Sequence, residues 1–235
     1  RTLASDSRDK DFAPETFSPH YQRSLLQAMR NLTVRNFALL KSKLRSLPAE
    51  VRAVAETVLG LESECVKKLQ AVNERRIRAQ RIRCHGDFHL GQVLYDGRDF
   101  FIIDFEGEPA RAISERRIKR SPLRDVAGML RSFQYAAHTA LRHQLDHGSL
   151  QAVNVTEVEP WGHYWSTWTS TVYLKAYLEA MKGADLLPVA GDDLWVLLDA
   201  YLLEKAAYEV GYELNNRPDW LKIPLEGILG ILTPR

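Results

Sequence analysis

The stretch that decides the fold runs His85-Gly86-Asp87-Phe88-His89-Leu90-Gly91-Gln92-Val93-Leu94-Tyr95-Asp96-Gly97-Arg98-Asp99-Phe100-Phe101-Ile102-Ile103-Asp104-Phe105-Glu106-Gly107-Glu108-Pro109. Val93-Leu94-Tyr95 and Phe100-Phe101-Ile102-Ile103 are short apolar runs, and Asp96-Gly97-Arg98 lies between them. An Asp-Gly pair supplies positive φ at low steric cost, so the segment reads as a β-hairpin. Acids bracket it: Asp87 precedes the first strand and Asp104 ends the second. A hairpin folds the chain back, so both carboxylates are expected at the same end.

The flanks of the hairpin read as helix. In residues 19–47, Leu25, Leu26, Met29, Leu32, Phe37, Leu40 and Leu44 recur every three or four positions. Pro48 closes that helix and a second is expected over 49–73, the two forming an antiparallel pair. Further helices are expected over 123–145, 156–182 and 192–215, the last with Asp192 as N-cap, and a short one over 224–232. Residues 1–18 read as a linker or the end of a preceding region, and 19–235 as one body. The fold class expected is therefore mainly α with a small β-hairpin.

Composition narrows the function classes. The chain has 235 residues, 45% hydrophobic and 26% charged, with no apolar run of bilayer-spanning length. No membrane partner is expected. The formal net charge of +2 is too small to argue for nucleic acid. The basic runs 75–83 and 111–124 lack the interleaved aromatics that single-strand binding uses; the first reads as a solvated helix face, and arginines of the second as facing phosphate or an acidic partner. Two cysteines, Cys65 and Cys84, form no CxxC and no disulfide framework, which suits a reducing, cytoplasmic setting. A chain opening on Arg1 is expected to be processed or a piece of a longer one.

The chemistry legible in the decisive stretch is phosphoryl transfer from ATP. One carboxylate accepts the proton of an attacking hydroxyl or orients it, another holds Mg²⁺ against the phosphates, and an amide oxygen completes a hard-oxygen shell. Asp87 fits the first role; Asp104 and Gln92 fit the second. The order H-x-D-x₄-N/Q, hairpin, D-F-x is that of protein kinases, with Gly86 for Arg and Gln92 for Asn. His85 and His89, spaced i,i+4 beside an acid, read either as metal ligands or as loop-fixing groups; without a helix-borne HExxH the structural role is favoured. His143 and His147 read as surface residues. No G-x-G-x-x-G and no G-x₄-G-K-[ST] occurs, so the loop that covers phosphates in a kinase is not written in this chain.

On residues 192–215, Leu198, Leu202, Ala206 and Val210 form an aliphatic stripe. Tyr201, Lys205, Tyr208 and Tyr212 form a second one, on the same period and rotated around the axis. Flat aromatic faces beside a donor suit a sugar ring, while the plain alternative is core edge with hydroxyls reaching water. Trp161, Trp165 and Trp168, at i, i+4 and i+7, read as packing residues.

His-Gly-Asp at 85–87 resembles aminoglycoside and choline kinases. The longer text from His85 to Leu94 and from Ile103 to Pro109 resembles the maltokinases, which make maltose 1-phosphate from maltose and ATP. Ser114-Glu115-Arg116-Arg117, the run Ser121-Pro122-Leu123-Arg124-Asp125-Val126-Ala127-Gly128-Met129-Leu130-Arg131-Ser132, and Leu203-Glu204-Lys205-Ala206 are also similar to that family. Ala13-Pro14-Glu15 and Tyr21-Gln22-Arg23-Ser24-Leu25 resemble maltokinase regions fused behind trehalose synthase. The resemblance implies the intermediate region and C-terminal lobe of a protein-kinase-like (α+β) fold, with the N-lobe that completes the ATP site outside this chain. It implies Asp87 as catalytic base, Gln92 and Asp104 as Mg²⁺ ligands, and Asp125 as structural support of the loop, beside the loop-fixing role already read for His85 and His89. It places the acceptor sugar against Lys205, Tyr208, Tyr212, Arg217 and Trp220, and makes a fused or associated trehalose synthase an expected partner. A kinase for another small alcohol, such as an aminoglycoside, and a non-catalytic module tethered to trehalose synthase are the competing readings.

Overall fold

The computed structural model describes residues 2–4, 8–109, 112–148 and 155–233. Arg111 of the second basic run and Ser149 of the loop after the 123–145 helix lie outside them. The helices are α1 (Pro19–Lys43), α2 (Ala49–Gly60), α3 (Glu62–Gln70), α4 (Ile113–Arg116), α5 (Leu123–Asp146), α6 (Val155–Ala180), α7 (Gly191–Asn216) and α8 (Lys222–Leu232). Two antiparallel strand pairs accompany them: β1 (Glu15–Thr16) with β2 (Gln80–Arg81), and β3 (Val93–Tyr95) with β4 (Phe100–Ile102). The fold is mainly α with a small hairpin. No helix of the described residues is long and apolar enough to cross a membrane.

Local chemistry sets the helix ends. Ser18 caps α1 by accepting the Tyr21 N–H on its hydroxyl, and Pro19 takes the first helical position, where its missing N–H costs nothing. The expected single helix over 49–73 is two. The chain bends at Leu61 (φ −103°, ψ 17°), between α2 and α3, and α3 ends in a 3₁₀ turn over Ala71–Asn73. The bend lets α3 pack on α1 and α7 while α2 packs on α8, so the simple antiparallel pair does not form. Asp192 is not an N-cap. α7 starts at Gly191, and Asp192 and Asp193 occupy its first turn, where negative charge complements the helix dipole.

α7 is the axle of the lobe, packing against α1, α3, α5 and α8. Leu198, Leu203, Ala206 and Val210 are buried there with Met29, Phe37 and Leu40 of α1 and Leu123 and Val126 of α5. Each fully buried Leu or Phe contributes about 1.5–3 kcal/mol. Residues 8–18 lie against the body: Phe17 is in the core, Glu15 pairs with Arg81 at 2.6 Å, and Lys119 donates to the carbonyls of Lys10 and Ala13.

Two further expectations change. The basic run 75–83 is extended chain containing β2, not a helix face, because β1 pairs with it; Arg75 binds Asp193 at 3.2 Å. The tryptophans Trp161, Trp165 and Trp168 are exposed on α6, although Trp165 also packs edge-on against the core residue Phe133 at 6.4 Å. α6 turns Gly162 to Leu141 and Ala137 of α5, so the small residue enters the interface.

Candidate active site

The hairpin stands on the body with both faces open: Leu94, Tyr95, Phe100 and Phe101 are each more than half exposed. Gly97 (φ 96°) makes its turn, and Asp96 accepts the N–H groups of Arg98 and Asp99. At the other end, the loops carrying Asp87 and Asp104 meet. Gly86 has φ 89°, and a Cβ there would sit 3.3 Å from Gly107 Cα, so only glycine lets the two loops pass. Asp104 adopts a left-handed conformation (φ 60°), a strained choice that clusters at functional sites.

The loop before the hairpin is held from below. Asp125, in the first turn of α5, accepts the N–H of His85 on Oδ2 at 2.7 Å and that of Gly86 on Oδ1 at 2.9 Å. Its burial raises its pKa, and these two donors oppose the rise. The buried His85 donates from Nε2 to the Ile103 carbonyl at 2.8 Å, tying the Asp87 loop to the residue before Asp104. The rings of Phe88 and Phe105 pack against its ring, with centres 5.3 and 4.9 Å away. His89 accepts the Gly91 N–H on Nδ1 at 3.0 Å.

Gln92 donates from Nε2 to Asp104 Oδ2 at 2.9 Å. Its carbonyl Oε1 and the second carboxylate oxygen of Asp104 are hard-oxygen donors, the chemistry Mg²⁺ takes when phosphates supply other ligands. Among the described residues no group of three or more His, Cys, Asp or Glu gathers to hold a metal by itself. The arginines near these loops bind their backbones: Arg116 donates to the Pro109 carbonyl at 2.9 Å and Arg124 to that of Gly86 at 3.4 Å.

A cavity of about 660 Å³ opens beside Asp87, between α5 and α7. The structure brings Asp87, His89, Lys205, Tyr208, Tyr212 and Arg217 together in its wall. Tyr208 and Tyr212 stack with ring centres 6.4 Å apart. Lys205 Nζ lies 3.3 Å from Asp87 Oδ1 and 5.3 Å from the Tyr208 ring centre. Tyr201 leaves this stripe, being buried in the core. Trp220 is not in the wall; it stacks on Tyr135 at 6.2 Å and lies under the Arg217 guanidinium, one layer behind the cavity.

Sequence reading missed the charged floor. Glu209 and Glu213, both buried, line the cavity. Arg131 of α5, itself 2% exposed, binds Glu209 Oε2 through Nε at 2.8 Å and Nη2 at 2.7 Å. Glu213 receives Arg217 Nε at 3.0 Å, Arg217 Nη2 at 2.8 Å and the Tyr135 hydroxyl at 2.9 Å. The available signal was two acids four apart among the apolar residues of the second half of α7, since buried carboxylates demand partners.

No protein-family model matches the chain. It is 29% identical over 162 residues to a glucosamine kinase of Streptacidiphilus jiangxiensis, covering 66% of this chain and 32% of that protein. It is 28% identical over 141 residues to a glucosamine kinase of Mycolicibacterium smegmatis, covering 60% and 32%. The solved structure of a glucosamine kinase in complex with glucosamine, ADP and inorganic phosphate superposes with a TM-score of 0.71 at 20% identity, over 94% of this chain and 47% of that one. A second crystal form of a glucosamine kinase gives the same TM-score over 48% of its chain. The chain thus spans about a third of the length of the curated relatives it matches and about half of the solved ones. Its fold is that of a kinase-like C-terminal lobe.

Proposed function

We propose that the chain is the catalytic lobe of an ATP-dependent sugar kinase. The observation that carries this reading is that Asp87, on the loop that enters the hairpin, shares one cavity with the tyrosine stripe of α7. The acceptor sugar stacks on Tyr208 and Tyr212, with Arg217 at the rim and Trp220 backing it. Asp87 orients the attacking hydroxyl and receives its proton, a role worth about 10²–10⁴ in rate. Gln92 and Asp104 hold Mg²⁺, which when bound neutralises phosphate charge. His85, His89 and Asp125 keep the loop in register. The intermediate region and C-lobe occupy residues 19–235; the half that covers ATP comes from polypeptide outside residues 1–235 and packs on the exposed hairpin. The glucosamine kinase relatives support sugar phosphorylation.

For the acceptor we propose maltose, phosphorylated at its anomeric hydroxyl. The maltokinase-like text around the hairpin favours it, as does the charge of the cavity. Its lining holds the acids Asp87, Glu108, Glu209 and Glu213. Asp87 is paired with Lys205, Glu209 with Arg131 and Glu213 with Arg217, which suits a neutral sugar. Glucosamine is the second reading, favoured by the relatives; its ammonium would have to compete with those arginines.

The test is ADP release by the full-length protein with maltose, glucosamine, an aminoglycoside or no acceptor. The reading expects turnover with maltose and loss of the sugar's reducing end. A higher kcat/KM for glucosamine would remove maltose and keep the sugar kinase; turnover only with the aminoglycoside, or none at all, would remove both. Asp87→Ala should abolish turnover while sugar binding by calorimetry persists.

A further inference from the structure

We infer that Lys205 is a positioning residue for Asp87, and that it ties the catalytic carboxylate to the helix that carries the acceptor. This deepens the sugar-kinase reading and rests on it. The loop's anchors hold its backbone: Asp125 binds the N–H groups of His85 and Gly86, and His85 binds the Ile103 carbonyl. None of them touches the Asp87 carboxylate. Among the described residues two basic groups face it, one at each oxygen. Lys205 Nζ is 3.3 Å from Oδ1 and His89 Nε2 is 3.8 Å from Oδ2. His89 Nδ1 already accepts the Gly91 N–H, so the proton of the neutral ring sits on Nε2, towards Asp87. At 3.8 Å that contact is too long for a hydrogen bond, which leaves Lys205 as the closer restraint on the rotamer of Asp87.

The two ends of the pair stand on different elements. Asp87 sits on a loop, whereas Lys205 projects from α7, which is packed against α1, α3, α5 and α8. The ammonium therefore refers the carboxylate to the frame that also holds Tyr208 and Tyr212. The pair is partly wet, with side-chain exposures of 27% and 17%. A sugar lying on Tyr208 displaces water from both partners, and a less polar surrounding strengthens their attraction. Occupancy of the acceptor site thus tightens the base, with no need for Lys205 to contact the sugar. An interaction that orients the base acts mainly on kcat, while a sugar contact made equally in ground and transition states acts on KM.

The experiment uses the full-length protein with Lys205→Met, Lys205→Arg, and Lys205→Cys before and after alkylation with bromoethylamine, which restores an ammonium at similar reach. The chain's own thiols do not compete. Cys65 and Cys84 are buried, and burial pushes the first up to about 12 and the second well above the ordinary range. Lys205→Met is expected to lower kcat about 100-fold, the scale of a misplaced catalytic group, with KM for the sugar nearly unchanged. Lys205→Arg should retain part of the rate, and alkylation should recover most of the loss in Lys205→Cys. A rise in KM with kcat preserved would overturn the inference in favour of a sugar contact. A loss of kcat that neither arginine nor alkylation relieves, with a lowered melting temperature, would overturn it in favour of a purely structural lysine. If the unsubstituted protein phosphorylates no sugar, the sugar-kinase reading fails first, and in the wild type.

Discussion

Gln92 and Asp104 touch across the foot of the hairpin, the amide Nε2 donating to the carboxylate Oδ2 at 2.9 Å. The bond leaves the Gln92 carbonyl oxygen and the second Asp104 oxygen as remaining acceptors of the two side chains. Their separation in sequence is closed by the register Val93 to Ile102, which returns the chain to its starting point.

Asp104→Asn isolates charge from conformation. Asn tolerates the left-handed backbone that Asp104 adopts, and the position is exposed, so the melting temperature should stay near that of the wild type. Turnover should fall by orders of magnitude, and half-maximal rate should need more Mg²⁺. Equal Mg²⁺ dependence in the two proteins would remove Asp104 as a ligand.

Asp125→Ala strands two backbone donors. The N–H groups of His85 and Gly86 lose their acceptor, and each unsatisfied buried group costs about 1–3 kcal/mol. Chemical denaturation should show a loss within that range per group. Hydrogen exchange at residues 85 and 86 should accelerate more than exchange in α7.

The glycines of the helices separate into two kinds. At Gly128 a Cβ would lie 2.5 Å from the Phe88 carbonyl oxygen, and backbone cannot easily yield. Gly128→Ala should destabilise the lobe by about 1–3 kcal/mol and displace the loop that carries Asp87. Gly230 in α8 has nothing within 4 Å, so Gly230→Ala should stabilise by about 0.5–1 kcal/mol through helix propensity. Thermal melts of the two variants should shift in opposite directions.

His138 makes stability depend on pH. Burial, with Arg142 and Lys222 nearby, lowers its folded pKa below the ordinary 6.5. As pH falls through 6.5, the unfolded chain takes up a proton that the folded chain resists, so stability is lost towards the lower folded value. Melts at about pH 7.5 and about pH 5.5 should show a smaller loss for His138→Gln than for the wild type.

Residues 85–109 determine a good deal without any tertiary information. The Asp-Gly turn between two apolar triplets specifies a hairpin, and a hairpin of that length brings the acids at its ends together, because its register is local. Helix boundaries were legible where capping chemistry is local, as at Ser18-Pro19. They were not where packing decides: the bend at Leu61 follows from α3 needing α1 and α7 while α2 needs α8, and no pattern within 49–73 states that.

The second wall of the site was beyond the sequence for the same reason. Periodicity put Lys205, Tyr208 and Tyr212 on one stripe, but it also put Tyr201 there, which the core takes. It could not say that Arg131, 78 residues earlier, would meet Glu209, or that Lys205 would reach Asp87. Hydrogen bonds and ion pairs between elements depend on how helices are docked, and docking is settled by the shape of apolar faces over the whole lobe. The local text of residues 85–109 was enough to bring Asp87, Gln92 and Asp104 to one end of a hairpin, because its register is set within the segment. The packing of α5 and α7 set Lys205, Tyr208 and Tyr212 opposite Asp87, because helix docking depends on apolar faces far apart in the chain.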